Sequence, residues 1–265
     1  MNQKKKKIRA IVRKSERIAE NIFSMELFTE EPLSVRPGQF VGLYPDGEDK
    51  LLLRPISICE YRKETGILRL VYRVQGGGTK EFSGWKEGKE TAFLGILGNG
   101  YPVEEIAEKA GGETGSVLLF GGGIGIPPLL ALARELSAKT KVTTVLGYKT
   151  EETFLLHEFE QYGPVFTATE DGSCGTKGTV LDAVRENGIS GDVLCACGPT
   201  PMLRAVKHFA EGRDCYLSLE ERMACGIGAC LACVCKTTDI DAHSHVHNAR
   251  VCVEGPVFAA DRVEI

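Results

Sequence analysis

Val117-Leu-Leu-Phe-Gly-Gly-Gly-Ile-Gly-Ile-Pro-Pro128 reads as an apolar strand, a glycine-rich turn and the first turn of a helix. A dinucleotide turn requires that order. Pro127 and Pro128 are compatible with a helix start, because no helical N–H partner is lost there. From Gly123 the run is G-x-G-x-x-P, not G-x-G-x-x-G, so the segment alone reads equally as an ordinary tight βα turn. Downstream, apolar runs at residues 142–146, 165–168 and 193–196 alternate with helical stretches at 127–137, 153–162, 180–187 and 201–210. Strand-then-helix repetition of this kind predicts a doubly wound parallel α/β sheet. Cys197-Gly-Pro-Thr-Pro-Met202 again sits between an apolar strand and a helix. Two such turns at the carboxyl ends of parallel strands define a ligand crevice.

Upstream the period changes. Apolar or alternating stretches occur at residues 8–12, 22–27, 39–43, 56–59 and 67–74, separated by Pro32, Pro37-Gly38, Pro45-Asp-Gly47 and Gly66. Short strands at that spacing predict a small closed antiparallel barrel, with a short helix at 79–85 and a closing strand at 91–97. The boundary between the two parts falls within residues 98–115, where glycine and charged residues concentrate.

The bulk composition excludes several classes. In 265 residues, 43% are hydrophobic and 26% charged, as in a globular chain that is neither disordered nor membranous. The net charge of −4 gives no general attraction to nucleic acid or anionic lipid, and neither is expected as a partner. Lys4, Lys5, Lys6 and Lys7 form a solvated basic start, and no long apolar run follows them. A cytoplasmic protein without signal peptide or spanning helix is expected.

Ten cysteines are present, and five of them (Cys225, Cys230, Cys233, Cys235 and Cys252) crowd the C-terminal end. In a reducing compartment such a group points to a metal cluster, not disulfides. Cys225-Gly-Ile-Gly-Ala-Cys230-Leu-Ala-Cys233 has the C-x₄-C-x₂-C spacing of plant-type [2Fe–2S] sites, with a distant fourth cysteine to follow. Gly226 and Gly228 let the backbone turn its N–H groups towards sulfur. A structural zinc site is the competing reading, but it more often pairs two C-x₂-C knuckles. Cys235 would have to double back within one short segment, so Cys252 is the expected fourth ligand and Cys235 a packed thiol.

Arg54-Pro55-Ile56-Ser57 opens a barrel strand. A guanidinium fork matches two pyrophosphate oxygens, and a serine hydroxyl can meet the polar edge of a flavin. Val71-Tyr72-Arg73 and Gly76-Gly-Gly78-Thr79 follow in the same part of the chain, as a second wall of a phosphate site. The glycine turn reads equally as a plain flexible connection.

Together these motifs resemble the ferredoxin–NAD(P)⁺ reductase superfamily. The run from Glu220 through the three clustered cysteines to Cys233, with Val251-Cys-Val-Glu-Gly-Pro-Val-Phe258, is similar to electron-transfer subunits of class 1B (NAD-linked) dihydroorotate dehydrogenases. The resemblance implies an FAD-binding β-barrel over residues 1–102, an NAD-binding α/β domain over 103–213 and a small [2Fe–2S] segment over 214–265. It implies that Arg54, Pro55, Ile56, Ser57, Val71, Tyr72, Arg73, Gly78 and Thr79 hold FAD, and that Gly122, Gly123, Gly125, Gly198 and Met202 line the nicotinamide side. Cys225, Cys230, Cys233 and Cys252 would hold the cluster. The implied partner is an FMN-containing dihydroorotate dehydrogenase catalytic subunit, in a heterotetramer serving pyrimidine biosynthesis. No residue of this chain is assigned as an acid, base or nucleophile.

Subunits of anaerobic sulfite reductase and of some hydrogenases share the layout. They are expected to carry a glycine and a basic residue or histidine where this chain has Leu231-Ala232. A redox sensor or zinc-stabilised binding module without turnover is the non-enzymatic alternative, and a yellow-brown colour separates it from a flavin and cluster protein. Acidic Glu151, Glu152, Glu170 and Asp171 around Lys149 favour NAD over NADP. His243, His245 and His247 read as a polar hairpin and are left unassigned.

Overall fold

Strand β1 (Lys6–Ala19) alternates as the sequence requires: Ile8, Ala10 and Val12 are buried, while Lys7, Arg9 and Arg13 face outward. The computed structural model describes residues 5–47, 50–240 and 245–265; Lys4 and His243 lie outside the described residues. β2 (Ile22–Phe28), β3 (Phe40–Leu43), β4 (Arg54–Arg62), β5 (Ile67–Arg73) and β6 (Glu90–Leu97) join β1 in a closed antiparallel barrel, in the order β1-β2-β5-β4-β3-β6. Met25, Leu27, Val41, Leu43, Ile58, Leu68, Leu70 and Phe93 fill its interior. Helix α1 (Gly77–Ser83) adds Phe82 to that core, its ring 4.7 Å from Trp85 and edge-on to Tyr72. The expected barrel and its six strands are therefore present.

Past the linker come α2 (Val103–Lys109), β7 (Ser116–Gly122), α3 (Pro127–Ser137), β8 (Lys141–Tyr148), α4 (Leu156–Phe159), β9 (Val165–Thr169), β10 (Thr176–Lys177), α5 (Val180–Asn187), β11 (Val193–Cys197), α6 (Thr200–Ala210) and β12 (Cys215–Ser218). The strands are parallel in the order β10-β9-β8-β7-β11-β12, so the order reverses between β7 and β11. That switch point is where open α/β sheets bind ligands. Helix α5 carries a capping box, in which Thr179 and Asp182 exchange bonds of 3.3 and 2.8 Å, and it ends on Gly188 at φ +60°.

The helix expected over residues 153–162 shortens to Leu156–Phe159. Tyr148 on β8 explains this, because its hydroxyl donates to the Phe154 carbonyl at 2.9 Å and its ring meets that of Phe154 edge-on. Phe154 is thereby drawn onto the sheet, and Leu155 turns at φ +65°. No described helix is long and apolar enough to cross a membrane.

The C-terminal segment adds β13 (Val234–Thr237), β14 (Asn248–Arg250), β15 (Val257–Ala259) and β16 (Val263–Glu264). β14, β13 and β16 form a small sheet of their own. β15 instead pairs antiparallel with β12, becoming the edge of the large sheet, with Leu217 opposite Phe258. One apolar core runs through all three parts, from Phe40 and Leu97 through Leu118 and Leu194 to Val251, Cys252 and Phe258.

Tyr101, fully buried, fixes the junction. Its N–H donates to the Pro37 carbonyl at 2.8 Å and its hydroxyl to the Ala196 carbonyl of β11 at 3.0 Å. Gly38 has φ +86°, and a Cβ there would lie 2.8 Å from the Tyr101 ring and 3.0 Å from Val257, so only glycine admits all three parts at this point. Around buried Cys59 of β4, Arg69 makes a two-pronged bond to Glu158 of α4 at 2.5 and 3.0 Å, and Arg134 of α3 pairs with Glu60 of β4 at 2.7 Å, so both pairs tie the barrel to the α/β domain. Tyr101→Phe is expected to destabilise the chain by about 1 kcal/mol, the usual net value of one hydrogen bond. Urea unfolding measures it, and an unmoved midpoint would show that ring packing alone secures the junction.

Candidate functional site

Three groups of expected site residues lie along the face where the barrel, the α/β sheet and the C-terminal segment meet. On the barrel, Arg54 begins β4 and its side chain lies across Gly78 of α1. A Cβ at residue 78 would stand 2.5 Å from Arg54 Nε, so glycine allows the guanidinium to lie flat on the start of the helix. Arg54 is also held by a bond to the Leu52 carbonyl. Pro55, Ile56 and Ser57 run along β4 opposite Gly42, Val41 and Phe40. Thr79 turns inward on its own loop: its hydroxyl accepts from the N–H groups of Gln75 and Gly76 at 3.0 and 3.2 Å. It orders the glycine turn, which is thus a built loop and not a slack connection.

On β5, Val71 packs into the core shared with the α/β domain, while Tyr72 points into the barrel core. Tyr72 Oη is the one buried side-chain polar atom without a partner among the described residues. Its ring is 2% exposed, and burial pushes the phenol well above its ordinary pKa. An unpaired buried hydroxyl costs about 1–3 kcal/mol, so it suits a site that a bound polar group completes. Together with the Arg54–Gly78 cradle, it fits a flavin nucleotide.

Arg73 ends β5 and reaches the second group. A Cβ on Gly123 would stand 3.2 Å from Arg73 Nη2, and Gly123 itself has φ +52°. Gly122 lies against Met202 and Pro199, where a Cβ would be 2.6 Å from Met202 Sδ. Gly198 is equally close to Met202 Cε, and a Cβ on Gly125 would overlap the Cys197 carbonyl. The two turns after β7 and β11 therefore touch each other, which requires these glycines. The dinucleotide reading of the 121–128 turn gains over a plain βα turn, since a plain turn needs no such approach.

The third group is the cysteine loop. The four cysteines fall into two neighbouring pairs, in which Cys230 favours ionisation of Cys225 and Cys233 disfavours that of Cys252. The N–H groups of Ile227 and Ala229 point at Cys225 Sγ from 3.5 and 3.3 Å, turned there by Gly226 at φ +68° and Gly228 at φ +87°. Burial opposes ionisation of Cys225, yet these N–H groups and the Cys230 thiol lower its pKa to about 6. Burial and the adjoining Cys233 push Cys252 up to about 12. Among the described residues no three ligand-type side chains converge as one metal ion needs. Two pairs suit a centre of two irons, each taking two thiolates. Cys235 is buried on β13 opposite Ala249, and burial with Glu221 nearby raises it to about 11, as for a packed thiol.

Gly226 lies over Leu53 and Leu97, 3.5 and 3.3 Å from where its Cβ would be, so the cysteine loop rests on the barrel one residue from Arg54. Sequence reasoning missed the residues that brace this contact. Asn99 in the linker donates to the carbonyls of Val253 and Glu254 at 3.0 and 3.1 Å, and Arg250 donates to the Gly228 carbonyl at 3.1 Å. Both are single polar residues outside any motif. Of the unassigned histidines, His245 and His247 are exposed at the surface.

Residues 119–208 match the oxidoreductase NAD-binding domain, and residues 220–264 match the iron-sulfur cluster binding domain of dihydroorotate dehydrogenase B. Over 265 residues the chain is 43% identical to the electron transfer subunit of dihydroorotate dehydrogenase B (NAD(+)) of Lysinibacillus sphaericus, covering 99% of each. It is 45% identical over 253 residues to the same subunit of a Geobacillus species, covering 93% of this chain and 94% of the relative. Among solved structures it is similar to a chain of NADH-dependent reduced ferredoxin-NADP oxidoreductase, with a TM-score of 0.82, 30% identity and 96% and 89% coverage. A ferredoxin NADP+ reductase from Neisseria gonorrhoeae shares the fold at 14% identity, with a TM-score of 0.64 over 78% of this chain and 92% of that one. With such identity running through almost the whole of both chains, this chain belongs to the family of electron transfer subunits of NAD-linked dihydroorotate dehydrogenase B, and is an oxidoreductase subunit.

Proposed function

We propose that this chain relays electrons from dihydroorotate, oxidised on the FMN of a separate catalytic subunit, to NAD⁺, as part of a cytoplasmic heterotetramer in pyrimidine biosynthesis. The observation that carries the reading is the order of the three groups. The cysteine loop rests on Leu53 beside Arg54, and the flavin strand β5 ends at Arg73, which reaches the glycine crevice. That order matches a path from partner through cluster and FAD to nicotinamide. When bound, FAD supplies the exchange between a two-electron hydride carrier and a one-electron cluster.

The residues of the chain bind and orient. Arg54 over Gly78 presents a planar fork to the FAD pyrophosphate, and Thr79 keeps the loop in shape. Pro55, Ile56 and Ser57 with Val71, Tyr72 and Arg73 form the walls of the flavin site. Gly122, Gly123, Gly125, Gly198 and Met202 admit the nicotinamide nucleotide by removing side-chain bulk. Cys225, Cys230, Cys233 and Cys252 are the cluster ligands. By function the chain divides into 1–102 for FAD, 103–213 for NAD and 214–265 for the cluster, although β12 and β15 belong to the large sheet. The partner docks over the cysteine loop, where Ile227 and Leu231 are exposed and Leu51, 86% exposed, and Leu52 precede Leu53. Apolar side chains grouped around a redox centre suit a protein interface.

Three measurements test this. Cys252→Ser is expected to abolish the [2Fe–2S] absorption and EPR signals, while Cys235→Ser leaves them nearly intact; equal loss in both overturns the ligand assignment. Arg54→Ala is expected to weaken FAD binding by about 1.5–3 kcal/mol, the range for hydrogen bonds to charged groups, with cluster content unchanged. Unchanged FAD retention on dialysis would reduce Arg54 to a strand-opening residue. The purified chain should oxidise NADH with an artificial acceptor, yet form NADH from dihydroorotate only with the catalytic subunit added. Turnover by the chain alone would refute the division of labour. Silence with a class 1B catalytic subunit would favour a sulfite-reductase-like role.

A further inference from the structure

The cysteines come from two separate pieces of chain, the loop 225–233 and the turn that carries Cys252. One side chain joins them. Arg250 Nη1 donates to the Gly228 carbonyl at 3.1 Å, between Cys225 and Cys230. Its Nε and backbone N–H both donate to Glu254 Oε2, at 3.1 and 2.7 Å, and its Nη2 to Glu254 Oε1. The Arg250 carbonyl in turn accepts from the N–H groups of Val253 and Glu254, both at 2.9 Å, so the turn around Cys252 is closed on the same residue. Asn99 grips the outer carbonyls of that turn from the barrel side. Gly228 makes the approach possible: at φ +87°, a Cβ there would stand 2.6 Å from Val253 Cγ2 and 3.4 Å from Arg250 Nη1.

We propose that Arg250 is a positioning residue for the [2Fe–2S] cluster, clasping the two ligand-bearing segments together and holding a fixed positive charge that raises the cluster's reduction potential. The proposal rests on the ligand assignment above. A planar fork suits the task, since it meets a carbonyl with one nitrogen and a carboxylate with others. Lysine keeps the charge but has no fork. Reduction adds one negative charge to the cluster, so a nearby cation favours the reduced state and a nearby carboxylate disfavours it. Glu254 opposes the charge of Arg250 while anchoring it. The guanidinium bonds the cysteine loop through the Gly228 carbonyl, whereas the Glu254 carboxylate bonds back to the Arg250 side chain and its N–H.

The test is an EPR-monitored redox titration of the full chain, with iron release to a chelator measured in parallel. Relative to wild type, R250Q should titrate at a more negative potential and release iron faster. E254Q should titrate at a more positive potential. R250K should titrate near wild type yet release iron faster. A purely structural role would not produce opposite shifts in R250Q and E254Q. An unshifted potential in R250Q, or equal negative shifts in R250Q and R250K, would overturn the charge assignment. Wild-type iron release in R250Q would overturn the clasp. If R250Q fails to retain a cluster, E254Q decides: a positive shift supports the proposal and no shift overturns it. A wild-type chain without a [2Fe–2S] signal would bring down the ligand assignment and this proposal together, an outcome distinct from the others.

Discussion

Tyr101 donates its hydroxyl to the Ala196 carbonyl inside a junction closed to solvent, and the candidate sites hang on the elements that converge there. Ala196 is the penultimate residue of β11, directly before the turn that brings Gly198 and Met202 to Gly122. Pro37 and Gly38, which cradle the Tyr101 backbone and ring, lead into β3 and so set the wall opposite β4 and Arg54. Val257, against the same glycine, begins the strand that follows the Cys252 turn. A small displacement here would be passed to all three groups at once, because packed cores shift as units. The charged pairs Arg69–Glu158 and Arg134–Glu60, which join the barrel to the α/β domain around Cys59, add orientation, but their partial exposure limits what they contribute to stability.

Most of the architecture was legible because it is written in local periodicity. Alternation in β1 and β5 and the continuous apolar runs of β7 and β11 report which faces are buried, whatever the rest of the chain does. The short helix at α4 was not legible, because the cause lies outside it: Tyr148 holds the Phe154 carbonyl and removes it from the helical ladder. The pairing of β15 with β12 brings together segments some forty residues apart in sequence, and neither carries a local sign of its partner.

The site divides in the same way. Arg54, the glycines and the cysteines stood out because their chemistry constrains residue type at fixed spacings. What the sequence could not resolve was whether each glycine is there for a turn or for an approach. The neighbours decide it: Arg54 over Gly78, Met202 over Gly122 and Gly198, Val253 and Arg250 over Gly228. Asn99, Tyr101 and Arg250 gave no signal, since a lone polar residue in a linker or at a strand end has the same composition whether it braces a site or faces water.

The return of β15 to the edge of the nucleotide-binding sheet has a consequence for how such a chain can change over time. The cluster segment is not a detachable tail. Deleting it would unmask the edge of β12 and strip Val251, Cys252 and Phe258 from the core that Leu118 and Leu194 share. A lineage could lose the iron centre by exchanging its cysteines and still keep the backbone that carries them as a structural strap. The converse step, grafting this segment onto a two-part flavin reductase, would require that reductase to offer an open parallel edge where β12 lies.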